Sequence, residues 1–389
     1  MFKFKQYDWR RYNFSLLIVI IILCVCSAYF VKFAMGEEDG ASYFKRQIIA
    51  MIVGILICIF ISIMDYSRIC DFVIVYYILG TLMAAATRLS PLGTNMGTDS
   101  YRWLKLPGVN FQPSEICKII VILTLAVFFV KMQEKMDSWK TFFLGFFITM
   151  LPTCFILIQS DLSSSLVIIF IFAMMVFAAG LAYKIVIPIL AVGIPSLIGI
   201  VWFLDQPIAK SIIPEKHWYQ VNRVVAFLHP DQFTDSLNYQ QLHSIQSIAS
   251  GRLTGKLINS NTSSVRDYFW VDVRESDFIF TVVGEEMGFI GSCVIVGLLC
   301  AVVFLCIRTA KRCNDLLGKM IAIGISAMFM FQIFANIGVS AMILPNTGLP
   351  LPFLSNGISS LFSGMIAIGI IINIGMQSGG SSHNNIEFL

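Results

Sequence analysis

The chain has 389 residues, of which 57% are apolar and 13% are Asp, Glu, Lys or Arg, with a mean hydropathy of +0.80. Soluble domains carry about 25% charged residues, so a soluble enzyme is excluded, and a disordered chain would need low hydrophobicity. The formal net charge of +4 is too small to point to a nucleic-acid partner, and the composition reads as an integral membrane protein embedded in a lipid bilayer.

A membrane-crossing helix needs roughly 20 mostly apolar residues. Ten segments qualify: 14–34, 46–64, 71–90, 113–131, 141–158, 163–183, 185–204, 277–306, 319–343 and 352–376. The expected fold is therefore all-α, one polytopic membrane domain over residues 1–389 with about ten transmembrane helices. The first segment follows Lys3, Lys5, Arg10 and Arg11 and is too long for a cleaved leader, so it reads as a retained signal anchor. With the N-terminus inside, Arg68, Lys131, Lys135, Lys140, Lys184, Arg308, Lys311, Arg312 and Lys319 all fall on the cytoplasmic side, as the positive-inside rule asks. Ten spans then put both termini in the cytoplasm. The first outer loop holds Glu37, Glu38 and Asp39.

The one long connection, 205–276, is extracellular in this topology. Trp218, Val221, Val224, Val225 and Leu228 recur at helical spacing, and Leu237, Leu242, Ile245 and Ile248 follow. This pattern predicts two short amphipathic helices lying on the outer membrane face. His217, His229 and His243 lie in the same loop without metal-ligand spacing. The ten cysteines form no Cys-x-x-Cys pair, so neither a zinc site nor a disulfide framework is indicated.

Ionisable groups within membrane segments are costly, which makes each a functional-site hypothesis. Arg102 sits beside Trp103 in an outer loop. Glu115 and Lys118 open the fourth span after Gln112 and Pro113, and Asp161 lies at the outer turn between the fifth and sixth. Asp277 starts the eighth span, with Glu285 and Glu286 further along it. At 100° per residue Glu285 lies within about 80° of the Asp277 face and roughly 12 Å deeper, so these groups can line one outward-opening polar cavity. Each has a plainer reading as well. Glu115 and Lys118 are i,i+3 neighbours and can simply neutralise each other. Asp277 can be a helix cap, Arg102 with Trp103 an interfacial anchor, and Glu285 or Glu286 glue between helices. The chemistry such a cavity suits is work on a lipid-linked substrate, with a carboxylate as base and cations holding a phosphate or diphosphate.

Several segments, in order along nearly the whole chain, closely resemble the SEDS family of bacterial cell-wall polymerases, the rod-shape, division and sporulation proteins. They are Arg102-Trp103-Leu104, Phe111-Gln112-Pro113-Ser114-Glu115 with Lys118, and Gln159-Ser160-Asp161-Leu162, then Gln246-Ser247-Ile248-Ala249-Ser250-Gly251. Ser276-Asp277-Phe278-Ile279-Phe280, Gly284-Glu285-Glu286-Met287-Gly288-Phe289-Ile290-Gly291 and the run from Pro345 to Ser355 complete the set. The resemblance implies an inverting peptidoglycan glycosyltransferase that polymerises lipid II at the outer face of the bacterial cytoplasmic membrane, for cell shape, division or sporulation. It implies Asp277 as the essential acid, taking the proton of the acceptor GlcNAc 4-hydroxyl as that oxygen attacks MurNAc C1. Arg102 and Lys118 are then candidates to assist the departing undecaprenyl diphosphate, with Glu115 and Asp161 in the same cavity and Trp103, Gln112, Glu285 and Glu286 supporting. A class B penicillin-binding protein is the implied partner. A divalent cation, Mg²⁺ or Mn²⁺, is compatible with acids beside a diphosphate, although no dedicated cage is visible.

The sequence departs from the family at Val271-Asp272-Val273 (usually Leu-Pro-Glu), Glu275-Ser276 (His-Thr), Arg252-Leu253 (Gly-Gly) and 355–360, while Asp277 is kept. Glu275 is expected to raise the Asp277 pKa by like-charge repulsion. Two other readings fit the same residues. One is a lipid II transporter, with which the seventh span interrupted by Pro188, Gly193 and Pro195 is compatible. The other is a non-catalytic scaffold for the transpeptidase.

Overall fold

The computed structural model describes residues 7–91, 93–94, 101–106, 109–206, 208–213, 218–230, 238–257, 264 and 271–377. His217, Leu237 and the tail from Gly379 lie outside them. Among the described residues eight helices are long and apolar enough to cross a membrane. They are α1 (Phe14–Gly36), α2 (Glu38–Ile63), α5 (Pro113–Lys131), α6 (Trp139–Ile158), α8 (Tyr183–Asp205), α12 (Ile279–Arg312), α13 (Leu316–Ser340) and α14 (Ile358–Gln377). Two of the ten expected spans, 71–90 and 163–183, are shorter apolar helices of 17 residues each, α4 (Val73–Leu89) and α7 (Leu162–Ala178). At 1.5 Å per residue each runs about 26 Å, at the lower limit of a spanning length. A six-residue helix, α3 (Tyr66–Asp71), turns the chain between α2 and α4.

Local sequence sets these boundaries. Asn13 caps α1 by accepting a hydrogen bond from the Leu16 N–H, and Pro113 occupies the first turn of α5, where its missing N–H is not needed. The expected outer loop around residues 35–45 is only a break at Gly36. Helix α2 begins at Glu38, followed by Asp39, where acidic side chains complement a helix N-terminus. A small antiparallel sheet, unforeseen in an all-α reading, fills the connection after α4: β1 (Gly93–Thr94), β2 (Trp103–Leu106) and β3 (Val109–Phe111), in that order. Trp103 pairs with Thr94, and Leu104 with both Gly93 and Phe111.

Helices α5, α13 and α14 form the centre, with 78%, 72% and 67% of their apolar windows buried, whereas α8 stands at the periphery with 6%. Helix α13 packs on α12, α7 and α5, and the α1–α2 pair lies along α14 and α12. At one end of the bundle the chain is stitched together by side chains. Tyr66 Oη donates to Asp315 Oδ2 (2.7 Å), Asn373 Nδ2 to the Ser62 carbonyl (2.8 Å) and Gln377 Nε2 to Asp65 Oδ1 (3.1 Å). The Asp8 N–H meets the Met376 carbonyl there, so the described N- and C-terminal segments share this end.

The long loop contains α9 (Ala209–Ile212), α10 (Trp218–Leu228) and α11 (Tyr239–Ser250). Helix α11 differs from the expected surface helix. Its polar face, Gln241, Ser244 and Ser247, is buried against α12 and α13. Gln241 Nε2 bonds the carbonyls of Val339 and Leu344, and Ser244 Oγ bonds that of Ser340. The physical reason is that these carbonyls lie at the C-terminal end of α13 and just beyond it, where they lack helical partners.

Residues 251–257 then splice into α12. That helix breaks at Gly288 (φ 65°), where an added Cβ would stand 2.3 Å from the Gly255 nitrogen. Across the break the N–H groups of Lys256 and Leu257 bond the carbonyls of Glu285 and Glu286, while those of Phe289 and Ile290 bond Arg252 and Leu253. Backbone groups freed by the kink are thus satisfied by the loop, as a membrane interior demands.

Candidate active site

Asp277 lies in a turn immediately before α12, half-buried, and it does not cap that helix. Phe278 holds the N-cap position and no side chain bonds there. The turn is built on Val273, a β-branched residue at φ 49° whose carbonyl accepts hydrogen bonds from the N–H groups of Ser276 (3.0 Å) and Asp277 (3.1 Å). Such a backbone is costly for valine and persists only where its surroundings fix it. The surroundings do so through four hydrogen bonds. Buried Arg274 donates from Nε to the Ala34 carbonyl near the end of α1. Ser355 Oγ bonds the Ser276 carbonyl, and the Asn356 N–H bonds that of Glu275 (2.8 Å). Asn336 Nδ2 bonds the carbonyl of Asp277 itself (2.7 Å).

The segment between α13 and α14 forms the opposite wall. Gly348, at φ 72°, faces the acid so closely that an added Cβ would stand 3.2 Å from Asp277 Oδ2. Burial pushes the Asp277 carboxyl up to about 6. The guanidinium groups of Arg102 and Arg223 pull it down, Glu275 pushes it up as expected, and a hydrogen bond with Ser276 lowers it. Arg102 reaches this region from the residue before β2. Its Nη2 donates to the Ser160 carbonyl (2.7 Å), which is exposed by a strained backbone at φ 62°, and its buried Nε has no hydrogen-bond partner.

Arg223 was not singled out from sequence. It comes from the middle of α10 and donates to the Asn346 carbonyl (3.2 Å), two residues from Gly348. The available clue was the lone charged side chain of an amphipathic loop helix, which reads first as part of an ordinary solvated face.

Asp161 caps α7, with Oδ1 accepting from the Ser164 N–H (3.1 Å). Its Oδ2 accepts from Gln112 Nε2 (3.3 Å) and Ser114 Oγ (3.2 Å). Asp161 and Gln112 are therefore joined to each other, and Ser163 Oγ ties the start of α7 to the Thr347 carbonyl beside Gly348. Glu115 and Lys118 form the expected pair at 2.7 Å, both buried, and Ser363 Oγ donates to the second carboxylate oxygen (3.1 Å). Lys118 is not among the charges that perturb Asp277. Trp103 is half-buried on β2. Glu285 and Glu286 are both buried; Glu285 Oε1 lies 2.7 Å from Lys256 Nζ in the loop splice, and the Glu286 carbonyl accepts from the Leu257 N–H there. Among the described residues no group of three or more His, Cys, Asp or Glu is placed to hold a metal ion.

The fold is that of a multi-pass helical membrane protein. The family model "Cell cycle protein", covering the FtsW, RodA and SpoVE proteins, matches residues 9–379, and the chain belongs to that family. It is 30% identical over 376 residues to a probable peptidoglycan glycosyltransferase FtsW from Geobacter sp. (strain M18), covering 94% of this chain and 97% of the relative. Among solved structures, the rod shape determining protein RodA of Thermus thermophilus superposes with a TM-score of 0.67 at 21% identity, covering 96% of this chain and 99% of RodA. A chain from a peptidoglycan synthase complex that coordinates polymerization and crosslinking gives a TM-score of 0.75 at 24% identity, covering 94% and 98%. These likenesses show that the fold is shared.

Proposed function

We propose that this protein is a peptidoglycan glycosyltransferase that polymerises lipid II at the outer face of the bacterial cytoplasmic membrane. The observation that carries the reading is Asp277, whose carboxyl is raised to about 6 yet flanked by Arg102 and Arg223. A base with a pKa near the working pH is well matched to accept a proton from a hydroxyl. The acceptor 4-hydroxyl oxygen forms a bond to C1 of the donor sugar, the bond from C1 to the diphosphate oxygen breaks with inversion, and the hydroxyl proton passes to Asp277. Arg102 and Arg223 bind the diphosphate as negative charge grows on its leaving oxygen. Lys118, closed in its pair with Glu115, belongs to the frame in this scheme, together with Asp161 and Gln112. The orientation follows the basic residues, which puts the stitched end with both termini in the cytoplasm. The partner is a class B penicillin-binding protein that crosslinks the strands, a role consistent with the synthase complex above.

The test is purified full-length protein in liposomes with lipid II and its transpeptidase. Wild type forms glycan chains and Asp277→Asn forms none while remaining folded. Chains made at the wild-type rate by that variant overturn the assignment. Lipid II translocation unaffected by Asp277→Asn points instead to a transporter, and cell growth supported by the variant with partner binding intact to a scaffold.

A further inference from the structure

We infer that Asn336 is a positioning residue for the reaction, a clamp that joins the base to the wall facing it. Asn336 lies on α13 and is buried, the one polar side chain between Gln332 and Ser340. Its Nδ2 donates to two carbonyls, that of Asp277 and that of Leu349, each at 2.7 Å. Leu349 follows Gly348, the residue that stands against Asp277 Oδ2. One side-chain amide therefore fixes both the catalytic turn and the segment that shields it.

The orientation is forced by chemistry. Two carbonyls need two N–H donors, so the amide oxygen must point away, and Oδ1 is buried with no hydrogen-bond partner. An orphaned buried acceptor is unfavourable, and the molecule bears it where the amide holds two chain segments at once. Neither segment is regular structure, so neither has a backbone ladder to hold it in place. Asp277 owes its raised carboxyl chiefly to burial, and that burial depends on the Gly348 wall staying closed. The clamp thus governs both the position of the base and its protonation.

This rests on Asp277 being the base, and the experiment separates the two claims. Asn336→Leu keeps the volume and removes both donors; Asn336→Gln keeps a donor on a longer stem. Both are assayed as full-length protein with lipid II, across pH 4.5 to 8.5. Asn336→Leu is expected to lower kcat at least tenfold with KM changed less than threefold. It is also expected to move the acid limb of the pH–rate profile below the wild-type position near pH 6, because water reaching the carboxylate favours its charged form. Asn336→Gln is expected to recover part of kcat and return the limb toward wild type. A folded Asn336→Leu with unchanged kcat, or with reduced kcat and an unmoved limb, overturns the proposal. If Asn336→Leu does not fold, Asn336→Gln decides alone: a wild-type limb and rate overturn the clamp, and a lowered limb with reduced kcat supports it. Activity retained by Asp277→Asn defeats the reading of the base, whatever Asn336 does.

Discussion

Glu115 and Asp277 are carboxylates beside basic side chains at the same end of the bundle, yet they are held in opposite ways. Glu115 is buried with both oxygens engaged, one by Lys118 and one by Ser363. Asp277 keeps partial exposure, caps nothing, and feels the charges of guanidinium neighbours that form no salt bridge with it. A paired charge inside a membrane domain is a structural solution, because its field is spent on its partner. A carboxylate whose cations stand off retains both a protonation equilibrium and room for a polar ligand between the charges. The difference distinguishes a sealed charge from an open one among residues that look alike on a hydropathy plot.

Four substitutions break or sharpen that contrast. Asp277→Asn should have the largest effect, a loss of polymerisation of about 10²- to 10⁴-fold. Stability should move the other way, by an amount that depends on pH. A carboxyl raised in the folded state costs stability progressively as pH rises from the ordinary carboxylate value of about 4 to its folded value of about 6, because the fold disfavours a charge that the unfolded chain already carries. Asn carries none, so the variant should melt higher than wild type at pH 8 and lose most of that advantage by pH 4.5, read by thermal unfolding in detergent. Lys118→Met should do the reverse. It strands a buried carboxylate, at a cost of about 3–5 kcal/mol, and the double variant Glu115→Gln/Lys118→Met should recover most of it. Equal melting temperatures for single and double variants would falsify the sealed-pair description.

Arg223→Ala comes next. Losing one of the two guanidinium groups should reduce kcat/KM about ten- to a hundredfold, or roughly 1.4–2.7 kcal/mol. It should also shift the acid limb of the pH–rate profile upward, because a charge that lowers the Asp277 carboxyl has been removed. Lys118, which does not act on Asp277, should leave that limb in place in any variant that folds.

Much of this was legible in the sequence, and the exceptions share a cause. Apolar runs located the helices, since length and hydropathy are local properties. The i,i+3 spacing of Glu115 and Lys118 foretold their pair, and the onset of the eighth apolar run located Asp277 just ahead of α12. Arg223 was missed because its role depends on α10 folding back to the 345–348 segment, which no local pattern encodes. Asn336 left a clue, a polar side chain within an apolar span, but its two carbonyl partners lie 59 and 13 residues away. Helix α11 was recognised as amphipathic and expected at the membrane surface. Amphipathicity does not say whether a polar face seeks water or unpaired carbonyls, and here Gln241 and Ser244 meet carbonyls. Helical phase groups Glu285 with Asp277, and the family resemblance adds Glu286, whereas the break at Gly288 and the 251–257 splice supply both with other neighbours.

The smallest effect is expected at Ser363. Its hydroxyl is the second support of Glu115, on α14, while the first is Lys118 on the same helix as the acid. Ser363→Ala removes one hydrogen bond to a charged oxygen and leaves the ion pair whole, so the cost should be about 1.5 kcal/mol. That is well below the loss expected on removing Lys118. The carboxylate keeps a counter-charge at 2.7 Å, so turnover and the acid limb near pH 6 should both stay at wild-type values. Should Ser363→Ala instead move the acid limb, the Glu115 pair would be electrically coupled to Asp277. The division between a sealed charge that holds the helices and an open one that does the chemistry would then have to be redrawn as a single network.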